Sequence, residues 1–231
     1  MSLYVYALVA KAPSEGLGTG MNGEALRVVT CGGLLAVVGD MSALPAVTST
    51  ALREHDRAIR RMAAITDSVL PMRFGSMADE ELDLARRLEP AEATLEAALV
   101  QVAGREQMTV RVYERQAQDE EGARIAARPP AAADLGPGAR YLLERRRALE
   151  HDPQGAALDA VLAASASFIR AQRVESHGSR PLIASVHHLI ERGQGAAYSA
   201  ALHAGTADLI DAAVTVSGPW PPYAFASGEL T

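Results

Sequence analysis

A chain of 231 residues that is 48% hydrophobic and 22% charged can bury one large core or two small ones, and it falls outside the disordered class. Its 22 Lys and Arg against 28 Asp and Glu leave a net charge of −6. That argues against a general nucleic-acid binder, which needs a basic face to displace counterions from phosphates.

Met1–Ala10 is apolar but has neither a basic leading segment nor the length of a membrane span, and it reads as a first strand over Leu3–Val9. The Gly16–Gly23 stretch ends in the turn signal Asn22-Gly23. Leu26–Thr30 and Leu34–Val38 follow as an antiparallel hairpin around Cys31-Gly32-Gly33. Cys31 is the only cysteine, so an intramolecular disulfide and a Cys-rich zinc site are excluded, in keeping with a reducing cytosol. Over Thr48–Thr66 the period changes. Leu52, His55, Ile59, Met62 and Ile65 recur at three- and four-residue spacing with Arg53, Asp56, Arg57, Arg60 and Arg61 between them, which predicts an amphipathic helix.

Val69–Phe74 is expected to be extended, because Pro71 pushes Leu70 away from the helical region. Asp79–Leu88 and the segment after Pro90 read as helices, the second stopped by Gly104, and Met108–Tyr113 alternates as a half-buried strand does. From Glu114 to Gly138 the pattern dissolves into charges, alanines, Pro129-Pro130 and Gly136-Pro137-Gly138, a boundary or long loop. Beyond it come an arginine-rich helix over Ala139–Glu150 and a helix marked by Leu158 to Ile169. A strand at Leu182–Ile190, a helix at Ala196–Ala204 and a strand at Ala212–Ser217 complete the order. That order implies two α+β units, each a mostly antiparallel sheet with helices on one face. Their expected limits are 1–115 and 138–231, with 116–137 as the linker.

No motif in the sequence stands in the context its chemistry requires. Gly18-Thr19-Gly20-Met21-Asn22-Gly23 matches the dinucleotide fingerprint, but that site needs a helix N-terminus aimed at the pyrophosphate. Here a β-like run, Leu26–Thr30, comes next, so the glycines read as a turn. No pair of histidines has metal-ligand spacing, and adjacent His187 and His188 on a strand point to opposite faces. His55 precedes Asp56 but lies on the apolar stripe, which suits a hydrogen-bonded helix residue better than a general base. Arg145-Arg146-Arg147 reads as a solvated helix face or a docking surface for an acidic partner. No catalytic, cofactor-binding or metal-binding residue is assigned.

Two segments are more specific. In Val69-Leu70-Pro71-Met72-Arg73-Phe74-Gly75 an arginine sits inside an apolar, proline-containing strand. The tail Gly218-Pro219-Trp220-Pro221-Pro222-Tyr223-Ala224-Phe225 gathers three of the ten aromatic residues and three of the twelve prolines. Such a segment has little conformational entropy to lose on docking, whether onto its own chain or onto a partner.

With Tyr4-Val5-Tyr6, Leu34–Val38, His55 and Gly138-Ala139-Arg140-Tyr141-Leu142 in the same order, these two strings resemble the gas vesicle protein F/L family over nearly the whole chain. The resemblance implies an α+β fold of two domains, the C-terminal one ferredoxin-like, and no cofactor or catalytic residue. It implies an accessory or minor structural component, in the cytoplasm and at the gas vesicle, rather than an enzyme. The expected partners are the small amphipathic shell protein and other gas vesicle accessory proteins, not nucleic acid or a lipid membrane. Arg73, Phe74, Trp220, Tyr223 and Phe225 are then the candidate residues. Two roles fit them: partner contact, or docking of the tail across the two units with Arg73 paired to a buried carboxylate. The alternatives are a regulatory protein with a ligand pocket between its units, and an enzyme that uses Gly18–Gly23 for a phosphate.

Overall fold

The structure, a computed structural model, describes residues 2–13, 16–115, 153–177 and 181–226. The expected linker at 116–137, the helix at Ala139–Glu150 and its arginine run lie outside these residues.

The first sheet is built on β1 (Ser2–Val9). β3 (Leu34–Met41) and β4 (Val69–Pro71) flank β1, β2 (Leu26–Cys31) lies outside β3, and the short β5 (Met77–Ala78) pairs with the start of β1. The pairings of β1 and of the β2–β3 hairpin are antiparallel. Leu3 through Val9 are all buried, because both faces of β1 are covered. On one face Leu3, Val5 and Leu8 meet α2 (Glu81–Leu88) and α3 (Glu92–Val102) through Leu84, Leu88, Leu95 and Leu99. On the other, Tyr4, Tyr6, Ala7 and Val9 meet α1 (Ser49–Ile65) through Ala58 and Met62. The register of β1 against β3 shifts between Val5 and Ala7, a bulge that turns Tyr6 and Ala7 to the same side. The expectation of helices on one face is therefore corrected for this sheet. Its signal was present in β1, an almost uninterrupted apolar run of the kind that two-sided burial selects.

α1 begins where the sequence places it. The Thr48 side chain accepts the Ala51 amide at 3.1 Å, satisfying one of the free donors of the first turn. Its buried stripe is His55, Ala58, Ile59 and Met62.

The second sheet has the order β7-β8-β6-β9, all antiparallel, from β6 (Arg105–Glu114), β7 (Ala171–Ser176), β8 (Leu182–Glu191) and β9 (Ala212–Trp220). With α4 (Pro153–Ser165) between β6 and β7 and α5 (Gly195–Gly205) between β8 and β9, the path is βαββαβ, the ferredoxin-like arrangement. The strand at Met108–Tyr113, expected to close the first unit, is central to this second sheet. The charged stretch after Glu114, expected to be the boundary, instead follows the first strand of the second sheet. β7 was not expected at all: Gln172 to Ser176 are all exposed and, apart from Val174, polar, as befits an edge strand.

α4 and α5 cover one face of this sheet, where Val110, Val186, Ile190, Tyr198 and Leu202 form a separate core. The other face turns toward the first unit, and Leu189 joins the core of the first sheet.

Candidate functional site

The tail folds back across the junction of the two units. After Gly218, whose φ of +132° suits glycine, the chain completes β9 at Trp220, and Pro221 and Pro222 are buried. A 3₁₀ turn at Tyr223–Phe225 ends the described segment. Gly218 also answers a close approach: a Cβ there would sit 2.8 Å from the Gln107 carbonyl oxygen.

Two residues of α1 receive the tail. The Asp56 carboxylate accepts the Arg60 Nε–H at 2.6 Å, an i,i+4 pair. Its other oxygen accepts the Tyr223 hydroxyl, also at 2.6 Å. The Arg60 guanidinium in turn lies 4.4 Å over the Trp220 ring. Tyr223 and Trp220 are thus held by one charged pair on one helix. Burial and the adjacent Asp56 carboxylate push the Tyr223 phenol above its ordinary pKa, so it stays a donor at neutral pH.

Phe225 goes deeper, 2% exposed in the core that contains Leu70, Met72 and Leu189. The Gln107 side-chain carbonyl accepts the Ala224 amide at 2.7 Å and fixes the turn to β6. Bonds to backbone carbonyls also cross the junction. Gly104 donates to the Asp67 carbonyl at 2.8 Å, and the Arg192 side chain donates to the Thr66 carbonyl at 3.2 Å. Between these contacts a cleft of about 290 Å³ is lined by Arg60, Asp67, Arg105, Arg192 and Trp220. This volume is at the lower edge of what small-molecule sites use.

The Leu70-Pro71-Met72-Arg73-Phe74-Gly75 segment meets a second cluster. The Gly75 amide donates to the Tyr4 oxygen at 2.9 Å, and the Tyr4 hydroxyl lies 3.0 Å from His55 Nδ1. The other ring nitrogen of His55 faces the Met72 carbonyl at 3.3 Å. A carbonyl only accepts, so Nε2 carries the proton and Nδ1 accepts from Tyr4. Both histidine nitrogens are satisfied in a residue 5% exposed, and burial lowers its pKa. The Phe74 ring packs edge-on against Tyr4 and His55, while Arg73 lies exposed beside it. His55 therefore ties three chain segments together, and its ring has no free nitrogen for base chemistry.

The Gly18–Gly23 turn is closed by Gly20 donating to the Glu24 carbonyl at 2.8 Å, and it leads into β2, not a helix. The Glu24 carboxylate accepts the Asn22 amide at 2.9 Å and the Tyr6 hydroxyl, which places negative charge against the turn. That charge and the following strand oppose phosphate binding there.

Of the five candidate residues, the structure brings Trp220, Tyr223 and Phe225 together on the first unit and sets Arg73 and Phe74 in the neighbouring cluster. Their receivers Asp56 and Arg60 read in the sequence only as polar residues between the stripe positions. Their i,i+4 spacing was the only available signal.

The model of a family described as gas vesicle synthesis protein GvpL/GvpF matches residues 2–227. Among solved structures, the gas vesicle protein GvpF from Anabaena sp. PCC7120 superposes with a TM-score of 0.78 at 15% identity, covering 99% of this chain and 97% of that one. The GvpF from Microcystis aeruginosa superposes with a TM-score of 0.76 at 14% identity, covering 98% and 99%. A search among curated proteins finds no match. At these identities the superpositions speak for the shared fold, and the family model, spanning nearly every residue, shows that the chain belongs to the GvpL/GvpF family of gas vesicle synthesis proteins.

Proposed function

We propose that this chain is a cytoplasmic accessory protein of gas vesicle assembly that holds the small amphipathic shell protein, and associates with other gas vesicle proteins, until subunits polymerise. The observation that carries the reading is the family match over residues 2–227. The physical need is plain: an amphipathic subunit with an uncovered apolar face aggregates unless another surface covers it.

The surface we assign to that task is the approach to α1. Leu44 and Val47 are 65% and 78% exposed, and Leu52 on the first turns of α1 is 43% exposed. Leu44 lies against Gly75, where a Cβ would be 3.6 Å from its side chain, next to Phe74 and the exposed Arg73. An exposed apolar patch of this kind suits the apolar face of a partner. Phe225, by contrast, is buried in the chain's own core, which favours a tail-docking role for it over partner contact.

The test is to express the shell protein alone and together with this chain, and to compare the soluble fractions. Retention of soluble shell protein only in the second case supports the reading; equal precipitation in both cases overturns it.

A further inference from the structure

β7 is the outer strand of the second sheet, and Gln172 through Ser176 are all exposed. Among the described residues nothing pairs with its outer side. The backbone bonds fix which amides point outward. His177 donates to the Ile183 carbonyl at 2.8 Å, in the register that pairs Ala171 with Leu189 and Arg173 with His187. The alternation of an antiparallel ladder then turns the amides of Arg173 and Glu175 toward β8. Those of Gln172, Val174 and Ser176 face solvent. β8 gives the same answer from its other side, since Arg192 donates to the Gly104 carbonyl and leaves His187 and Leu189 facing β7.

We propose that β7 pairs antiparallel with β7 of a second copy of this chain, about a two-fold axis at Val174. The sequence Gln172-Arg173-Val174-Glu175-Ser176 is self-complementary in that register. Val174 of the two copies exchange backbone hydrogen bonds, and Gln172 of each copy does so with Ser176 of the other. Arg173 of each copy stands directly opposite Glu175 of the other, on the sheet face that carries His187. In that face Arg173 lies 5.7 Å from the Phe225 ring centre and Glu175 lies 3.8 Å from His187 Nε2. On the opposite face the two Val174 side chains, each 41% exposed, cover one another.

The same charges disfavour other occupants. An apolar strand added to this edge would leave Arg173 and Glu175 without opposite charges across the new ladder, and a strand of one sign would repel one of them. A strand with the two signs in reversed order sets an opposite charge against each of them, and a second β7 supplies it. The isologous contact closes at two copies and does not propagate. A single short strand pair buries less than the roughly 1,000 Å² of a firm interface, so the dimer is weak and depends on concentration. The inference stands apart from shell-protein binding and is tested without it.

The experiment is sedimentation velocity on the whole chain from micromolar to near-millimolar concentration, with circular dichroism as the check on folding. The parent protein is expected to shift from monomer to dimer over that range. Val174→Pro removes an outward amide that β8 does not use, and is expected to abolish dimerisation with the fold retained. Arg173→Glu places like charges opposite each other twice per dimer and is expected to weaken association about tenfold or more. Adding Glu175→Arg to it restores opposite pairs and association. A parent that stays monomeric overturns the inference. So does a dimer indifferent to Arg173→Glu, or a double variant as weak as the single one. Should Val174→Pro disturb the fold, the charge exchange decides alone.

Discussion

Tyr223 donates its hydroxyl to Asp56 across 2.6 Å, and the two residues are 167 positions apart in the chain. The same carboxylate holds Arg60, which lies over Trp220, so one helical pair receives both half-exposed aromatic groups of the tail. The junction between the two units is therefore closed by the end of the described chain.

Removing only the hydroxyl, Tyr223→Phe, is expected to cost about 1 kcal/mol, the usual net worth of one hydrogen bond. Urea unfolding should show a lower midpoint with an unchanged slope, because the surface exposed on unfolding is the same. An unchanged midpoint would mean that the contact carries no stability.

Phe225 and Trp220 should separate in the same assay. Phe225→Ala empties a site in the core that is 2% exposed and is expected to cost about 3–4 kcal/mol. Trp220→Ala gives up a half-buried ring and one cation–π contact, about 1–2 kcal/mol. Equal costs would show that the tail acts as one unit rather than through a buried anchor and an outer clasp.

Gly218→Ala is expected to cost about 2 kcal/mol or more, since φ is +132° and the new Cβ would stand 2.8 Å from a backbone oxygen that cannot move away cheaply. Thermal melting of this variant against Gly16→Ala, where φ is not positive and nothing lies within 4 Å of the new Cβ, isolates the effect. A Gly218 variant as stable as the parent would contradict the geometry.

Stability should fall in mild acid. His188 is fully buried, its Nδ1 lies 2.6 Å from the Tyr198 hydroxyl, and Nε2 has no partner among the described residues. A protonated ring would carry a charge into a site that burial strips of water, and this pushes the pKa down from 6.5 to about 4. The unfolded chain binds this proton first. Stability is therefore complete above pH 6.5, declines as pH falls toward 4, and loses about 3 kcal/mol through this residue. His55 and His187 are shifted in the same direction by burial and add to the slope. Equilibrium unfolding between pH 7 and 4 should show a clearly shallower decline in His188→Leu; an identical slope would remove His188 as the cause.

The sequence was legible where one local rule acts. The shared face of His55, Ile59 and Met62 on α1 and the opposed faces of His187 and His188 follow from spacing alone, although Leu52, expected on the same stripe, is 43% exposed. The α+β class followed from element order. What depends on tertiary partners was hidden. The alternation of Met108–Tyr113 marks β6 as a strand, but which sheet it joins depends on β8 and β9, far along the chain. β7 escaped because an edge strand buries neither face and leaves no alternation to find. The tail was conspicuous by composition, yet nothing local showed that Asp56 and Arg60 would receive it.

The most direct test of the proposed role is co-purification of the shell protein with this chain, comparing the parent with a Leu44→Asp/Val47→Asp variant verified as folded. Both side chains are mostly exposed, so the substitutions leave the core intact. The account predicts that the parent retains shell protein and that the variant loses about tenfold or more of it, as charge enters an apolar contact. Equal retention by both would contradict the assigned surface, and no retention by the parent would contradict shell-protein binding itself.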